Sequence, residues 1–261
     1  MENPINKKPT FTPPYGIFGN IFGRIWALWG IISFISTFLI IFLPSMLSYL
    51  FPQKKGQDYF IGVSKIWISI WLRIIGCPLK VYGLENFKPG ETYVIVYNHN
   101  ALLDAPLSAP FVPGGNKTIA KSSFAKVPIF GQFYKRGAVL VDRKSDASRR
   151  SSFEKMLTVL KQGMHMCIYP EGTRNRSSAA FKPFYEGAFK LAVEAKKDII
   201  PCILLGTNRA MPIEKTFYLF PTKLRMIFLP PVSSAGIKSK ELKDNVFNIM
   251  LAAYLKENKQ V

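Results

Sequence analysis

His99 is one of two histidines in a 261-residue chain, and Asp104 follows it five positions later within "YNHNALLDAP" (97–106). An imidazole near neutral pH can take a proton, and a carboxylate on its Nδ1 side would leave Nε2 free to do so. Helix geometry constrains the pair: residues five apart do not share a helical face, whereas those three or four apart do. If the two side chains touch, His99 must precede a helix that Asp104 begins. Pro106 suits the first turn of such a helix. The alternative is equally open at this point: Asp104 caps the helix, and His99 bonds within its own loop.

A second stretch, "IYPEGTRNRS" (168–177), also runs from an apolar strand into a loop. Gly172 permits a left-handed backbone or close approach. Arg174 offers a planar fork for a phosphate or carboxylate, and Thr173 adds a hydroxyl. A Gly turn with a solvated arginine would explain this stretch alone. Between the two lie Lys121, at the end of "KTIAK", and Asp142-Arg143, at the end of "AVLVD". Arg149 and Arg150 open a helical stretch and read as surface charge. The chain has no G-x-S-x-G elbow, P-loop or G-x-G-x-x-G.

These residues need strands to carry them. Segments 79–83, 92–98, 117–121, 138–142, 165–170, 199–206 and 224–230 have strand character, and helical patterns fill 146–162, 185–197 and 239–258. In the last, Leu242, Val246, Ile249, Met250, Ala253 and Tyr254 form an apolar face. Interleaved strands and helices predict an α/β fold, a mixed, largely parallel sheet covered by helices. Both candidate sites then fall at strand ends, where such sheets place their sites.

The N-terminal part differs. Residues 1–14 read as a polar, proline-bearing leader, and 15–76 as membrane-associated helices ahead of the α/β domain at 77–261. Ile25 to Leu43 is nineteen residues without a charge. That is long enough for a hydrocarbon core of about 30 Å at about 1.5 Å per residue. Pro44 should bend or end this helix. A second apolar stretch, 59–76, carries Lys65 and Arg73 and suits a helix in the headgroup plane or one packed on the first. Two geometries follow, a single span with an interfacial helix or a helical pair within one leaflet. Basic residues flank both ends of the first segment (Lys7, Lys8, Arg24; Lys54, Lys55), which favours the one-leaflet form.

Lys+Arg 35 against Asp+Glu 16 gives +19. Such a balance calls for an acidic partner, and 21 Phe with 4 Trp point to anionic lipid over nucleic acid. A nucleic-acid binder would explain the charge but not the apolar stretch. Cys77, Cys167 and Cys202 are scattered and read as reduced thiols facing a cytosol. With two histidines and no Cys/His cluster, no metal site is expected.

Taken together, His99-x4-Asp104, "VDR" (141–143), "PEGTR" (170–174) and "IIPCIL" (199–204) resemble, in order and spacing, the glycerolipid acyltransferases, and most closely the PlsC-like 1-acylglycerol-3-phosphate O-acyltransferases. The motifs span about 92–206. The resemblance implies a membrane-bound enzyme that moves a fatty acyl group from a thioester to the free hydroxyl of a lysolipid. It implies His99 as general base with Asp104 orienting it. Lys121, Arg143, Glu171, Gly172, Thr173 and Arg174 would then bind the acceptor and its phosphate. Pro201 would be architectural. Ala101 stands where many members carry serine or threonine, a hydroxyl that a His–Asp mechanism does not need.

The implied reaction makes phosphatidic acid from lysophosphatidic acid, with acyl-CoA or an acyl carrier protein (acyl-ACP) as co-substrate and no other cofactor. With no serine elbow and Cys167 and Cys202 on predicted buried strands, direct attack by the acceptor hydroxyl is expected. A lyso-aminolipid such as an ornithine or glycine lipid would satisfy the same cations with a carboxylate. A non-catalytic lipid-binding scaffold is a further alternative, against which the intact motifs speak. Anionic membrane lipids are the expected surroundings, with the catalytic domain facing the cytoplasm (at the inner membrane in a bacterium).

Overall fold

The computed structural model describes residues 16–142 and 145–258; the expected leader, Arg143 and the last three residues lie outside them. Seven strands form one sheet: β1 Leu79–Tyr82, β2 Val94–Tyr97, β3 Asn116–Lys121, β4 Ala138–Val141, β5 His165–Ile168, β6 Ile199–Leu205 and β7 Leu224–Phe228. The helices are α1 Gly16–Met46, α2 Gln53–Ile74, α3 Asp104–Ser108, α4 Phe130–Gly137, α5 Asp146–Lys161, α6 Gly187–Ala195, α7 Thr207–Ala210 and α8 Ser239–Asn258. The sheet order is β1-β7-β6-β2-β5-β3-β4. From β6 to β4 all neighbours are parallel; β7 runs antiparallel to β6, and β1 parallel to β7. The mixed, largely parallel α/β sheet expected from the sequence is what forms.

Parallel strands covered on both faces read as continuous apolar runs, and β2 ("VIVY") is buried throughout. Its Ile95 and Tyr97 side chains join Trp67, Ile68, Trp71 and Leu72 of α2 in one core. Val94 and Val96 face the other way, against α5, α6 and α8. In α8 the buried stripe is Leu242, Val246, Met250 and Tyr254. Ile249, expected on that face, is exposed, because a row of four-residue steps drifts around the helix and leaves it at the edge.

The two N-terminal helices belong to this packing. α2 starts ahead of the predicted stretch: the polar "QKKGQD" (53–58) forms its first turns after Pro52. It packs between α1 and the sheet, with Phe60, Ile61, Trp67, Ile68, Trp71 and Leu72 buried. α1 ends two residues after Pro44. Along its length α1 is tied to the body. Leu219 N–H donates to the Gly23 carbonyl (3.0 Å), Trp26 Nε1 to Ile75 O (2.9 Å), Trp71 Nε1 to Gly30 O (3.2 Å) and Trp67 Nε1 to Thr37 Oγ1 (2.9 Å). Gly23 permits this approach; a Cβ there would sit 2.2 Å from the Tyr218 ring. The opposite side of α1, including Phe18, Ile25, Ile32, Ile40 and Leu43, is exposed. Residues 76 and 77 mark where helices give way to strands, while the hydrophobic core runs across them.

Candidate active site

β2 leaves the sheet through Asn98, whose amide imitates a strand backbone. Oδ1 accepts the Leu204 N–H (2.7 Å), and Nδ2 donates to Leu204 O (3.0 Å) on β6. His99 therefore emerges at the C-terminal edge of the sheet, between β6 and β5. Five residues on, α3 begins at Asp104, the position the spacing required. His99 Nδ1 lies 2.9 Å from Asp104 Oδ2.

The capping alternative is not what the structure shows. Leu103 occupies the N-cap, and Asp104 reaches back instead of forward. Its Oδ2 also accepts the N–H groups of Asn100 and Ala101, both at 2.7 Å. Three donors thus converge on one oxygen of a fully buried carboxylate. They wrap the loop around it and turn the His99 ring so that Nδ1 faces inward. The ring stacks on Tyr169 (centroids 4.3 Å apart), whose hydroxyl donates to Asp104 O (2.7 Å). Burial pushes the Tyr169 phenol well above its ordinary range, so it serves as a neutral donor. Tyr97 fixes α3 from below by donating to Ser108 O (2.6 Å).

β5 delivers the neighbouring loop. Glu171, expected among the acceptor ligands, is turned inward and fully buried. Its Oε1 accepts the His99 N–H (2.7 Å) and its Oε2 the Lys182 N–H (2.9 Å). A carboxylate held by backbone donors is satisfied without a ligand, and an anion facing a phosphate would repel it. Glu171 therefore joins the two loops. The Asn175 N–H donating to His99 O (2.7 Å) adds a second tie. Gly172 has φ +70°, and a Cβ there would meet the Tyr185 ring at 2.8 Å. Thr173 Oγ1 accepts from Lys182 Nζ (2.7 Å). Arg174 is half-buried and Lys121 exposed at the end of β3; neither forms an ion pair among the described residues. Arg149, read as surface charge, is exposed and pairs with Asp146.

Sequence reasoning did not find Tyr169, Lys182 or Asn175. No spacing signal marks them, because they act through loop curvature; an aromatic ring at the very end of a buried strand was the one available cue for Tyr169. Among the described residues no cluster of three or more His, Cys, Asp or Glu gathers as a metal site. Cys167 and Cys202 are buried on strands as expected, and burial raises both thiols, Cys167 to about 12.

The fold and the site define an α/β protein with a histidine–carboxylate pair at a sheet edge, beside a glycine loop bearing a guanidinium. Residues 78–205 match the family described as Acyltransferase, which places that segment, about half of the chain, in the family. The 1-acyl-sn-glycerol-3-phosphate acyltransferase alpha of Mus musculus is 30% identical over 186 residues, which cover 69% of this chain and 65% of that protein. The 1-acyl-sn-glycerol-3-phosphate acyltransferase of Limnanthes douglasii is 30% identical over 190 residues (72% and 64%). The chain thus spans just under two thirds of these relatives. The fold is that of the 1-acyl-sn-glycerophosphate (LPA) acyltransferase PlsC from Thermotoga maritima. That likeness has a TM-score of 0.76 and 22% identity, covering 92% of this chain and 97% of that one.

Proposed function

We propose that the protein transfers a fatty acyl group from acyl-CoA or an acyl carrier protein to the sn-2 hydroxyl of lysophosphatidic acid, giving phosphatidic acid. The observation that carries this is the buried Asp104 holding His99 Nδ1 at 2.9 Å, with the glycine loop and Arg174 joined to the same turn through Glu171. The names of the relatives support the acceptor.

In this reading the acceptor hydroxyl gives its proton to His99 Nε2 as its oxygen attacks the thioester carbonyl carbon. The tetrahedral intermediate collapses, the carbon–sulfur bond breaks, and the departing thiolate takes the proton back from His99. Asp104 stabilises the imidazolium in between. Arg174 and Lys121 hold the acceptor phosphate, with Arg143 assigned there by resemblance. Gly172 and Thr173 shape the loop, and Glu171 braces it.

The acceptor is a membrane lipid, and α1 with the turn after it forms the one helix among the described residues long and apolar enough to cross a bilayer. Its hydrogen bonds to the body from Gly23 to Thr37 favour a different arrangement. A span would carry the sheet into hydrocarbon with it. Laid along one leaflet, α1 buries its exposed apolar side in lipid and keeps its contacts, with the body in the cytoplasm.

The test is purified full-length protein with an acyl-thioester and a panel of lysolipids. Product from lysophosphatidic acid, lost in His99→Ala, is the expected result. No product from it sinks the assignment, and product from an ornithine or glycine lyso-lipid would reassign the acceptor to a carboxylate. Unchanged turnover in His99→Ala would overturn the mechanism.

A further inference from the structure

One exposed apolar cluster is unconnected with the chemistry above. After β3, the segment Ser122–Ile129 presents Phe124 (48% exposed), Val127 (45%) and Ile129 (51%) to the outside. Ile129 is held in a strained conformation, φ 62° and ψ −61°, closed by a Phe130 N–H to Pro128 O hydrogen bond (2.6 Å). A β-branched residue in such a γ-turn is rare, and strain of this kind persists where the surroundings enforce it. Here it turns an isoleucine outward.

Aromatic rings link the cluster to α1 through Phe38, which is buried where α1 meets the body. Ring contacts run from Phe38 of α1 to Phe130 (5.4 Å), from Phe130 to Tyr134 (5.6 Å) and from Tyr134 to Phe124 (5.4 Å). Leu39 and Ile40, next to Phe38, are exposed. The charge around it has one sign: between Asp104 and Asp142 the sequence holds no acidic residue, while Lys121, Lys126 and Lys135 are exposed. Apolar tips ringed by lysines suit an anionic leaflet, hydrocarbon below and phosphates around.

We propose that Ser122–Ile129 is a second membrane-inserting element. It dips Phe124, Val127 and Ile129 into the leaflet that α1 lies on and holds Lys121, at its root, at headgroup depth. β3 is next to β5, and β5 next to β2, all ending at one edge, so Lys121 stands on the rim of the His99 site. The acceptor then reaches the site sideways, its phosphate passing Lys121 while its chain stays in lipid. This last step rests on the lysolipid reading of the site; the insertion does not.

The experiment separates the two. The three native cysteines are buried and their thiols raised, so an introduced cysteine takes an environment-sensitive fluorophore selectively. Full-length Val127→Cys is labelled and mixed with phosphatidylcholine–phosphatidylglycerol vesicles carrying brominated acyl chains. Ile40→Cys on α1 marks insertion, and Lys155→Cys on α5 marks the far side of the sheet. The Val127 label should be quenched like the Ile40 label; quenching no greater than at Lys155 overturns the insertion. A Val127 signal that moves on adding acyl carrier protein but not vesicles also overturns it, and makes the patch a protein-docking surface. Separately, Phe124→Ser/Val127→Ser should raise KM for vesicle-borne lysophosphatidic acid on the order of tenfold. Saturated turnover, and activity on a short-chain lysolipid below its micelle concentration, should not change. An unaltered KM for the vesicle-borne substrate overturns the sideways route even if the label is quenched.

Discussion

Replacing Asp104 by asparagine separates position from charge. The oxygen of the new amide must stay where Oδ2 is, because three N–H groups converge there: His99 Nδ1 at 2.9 Å, Asn100 N and Ala101 N at 2.7 Å. The amide nitrogen is then forced into the place of Oδ1, which is buried and has no hydrogen-bond partner. Geometry survives, with a stranded donor and three weakened bonds costing roughly 3 kcal/mol of stability. The larger effect is on turnover. In the proposed reaction, when His99 takes the acceptor's proton, its imidazolium no longer faces a carboxylate. Charges about 4 Å apart at an effective dielectric near 20 interact by about 4 kcal/mol, or about three powers of ten in rate. Asp104→Asn should therefore lose roughly a thousandfold in kcat. KM should hold, since Asp104 is fully buried behind the histidine. Turnover of acyl-thioester with lysophosphatidic acid is read beside thermal unfolding. A folded variant that keeps kcat within tenfold would refute the role of the charge.

Other perturbations follow from the same contacts. His165 accepts the Tyr93 N–H at Nδ1 (3.0 Å), and burial pushes its pKa down from 6.5 to about 4. The neutral ring belongs to the fold, so its contribution is complete above pH 6.5 and fades as pH falls from there through 4, by about 3 kcal/mol. Urea unfolding at several pH values should show this fall, and His165→Gln should flatten it. Gly172→Ala should cost about 1–2 kcal/mol from the left-handed backbone (φ +70°) and raise KM for the acceptor. The exposed Tyr185 ring can move aside, so adding Tyr185→Ala should not restore it. Arg136, buried, donates to Ser48 Oγ (3.1 Å) and Ser48 O (3.2 Å) and lies over the Tyr49 ring (5.0 Å). Arg136→Ala should loosen the α1–α2 turn and cost roughly 2–3 kcal/mol, seen as a lower Tm with kcat retained.

Much of this was legible in the chain because short-range rules suffice for it. All seven predicted strands form, since an apolar run bounded by Gly, Pro or polar residues has few other ways to bury itself. The demand that His99 precede a helix begun by Asp104 came from helical geometry alone. α4 and α7, of eight and four residues, escaped notice because helices so short carry no readable period. The inward turn of Glu171 was equally invisible, since the same side chain could face a ligand or a backbone and only the His99 and Lys182 N–H groups decide which.

What the sequence by itself determined is the set of parts: a histidine and an aspartate five apart, a glycine loop with an arginine, an apolar N-terminal helix and an α/β alternation. Their chemistry is local, fixed by residue type and by spacing along one strand end or helix turn. The tertiary structure decided how they meet. It made Asp104 a convergence point for its own loop instead of a helix cap, joined that loop to the glycine loop through a buried glutamate, and bound α1 along its length to α2, which packs on the sheet. Such outcomes rest on which donors and apolar faces remain unsatisfied once the sheet has formed, and residues far apart in the chain settle that together.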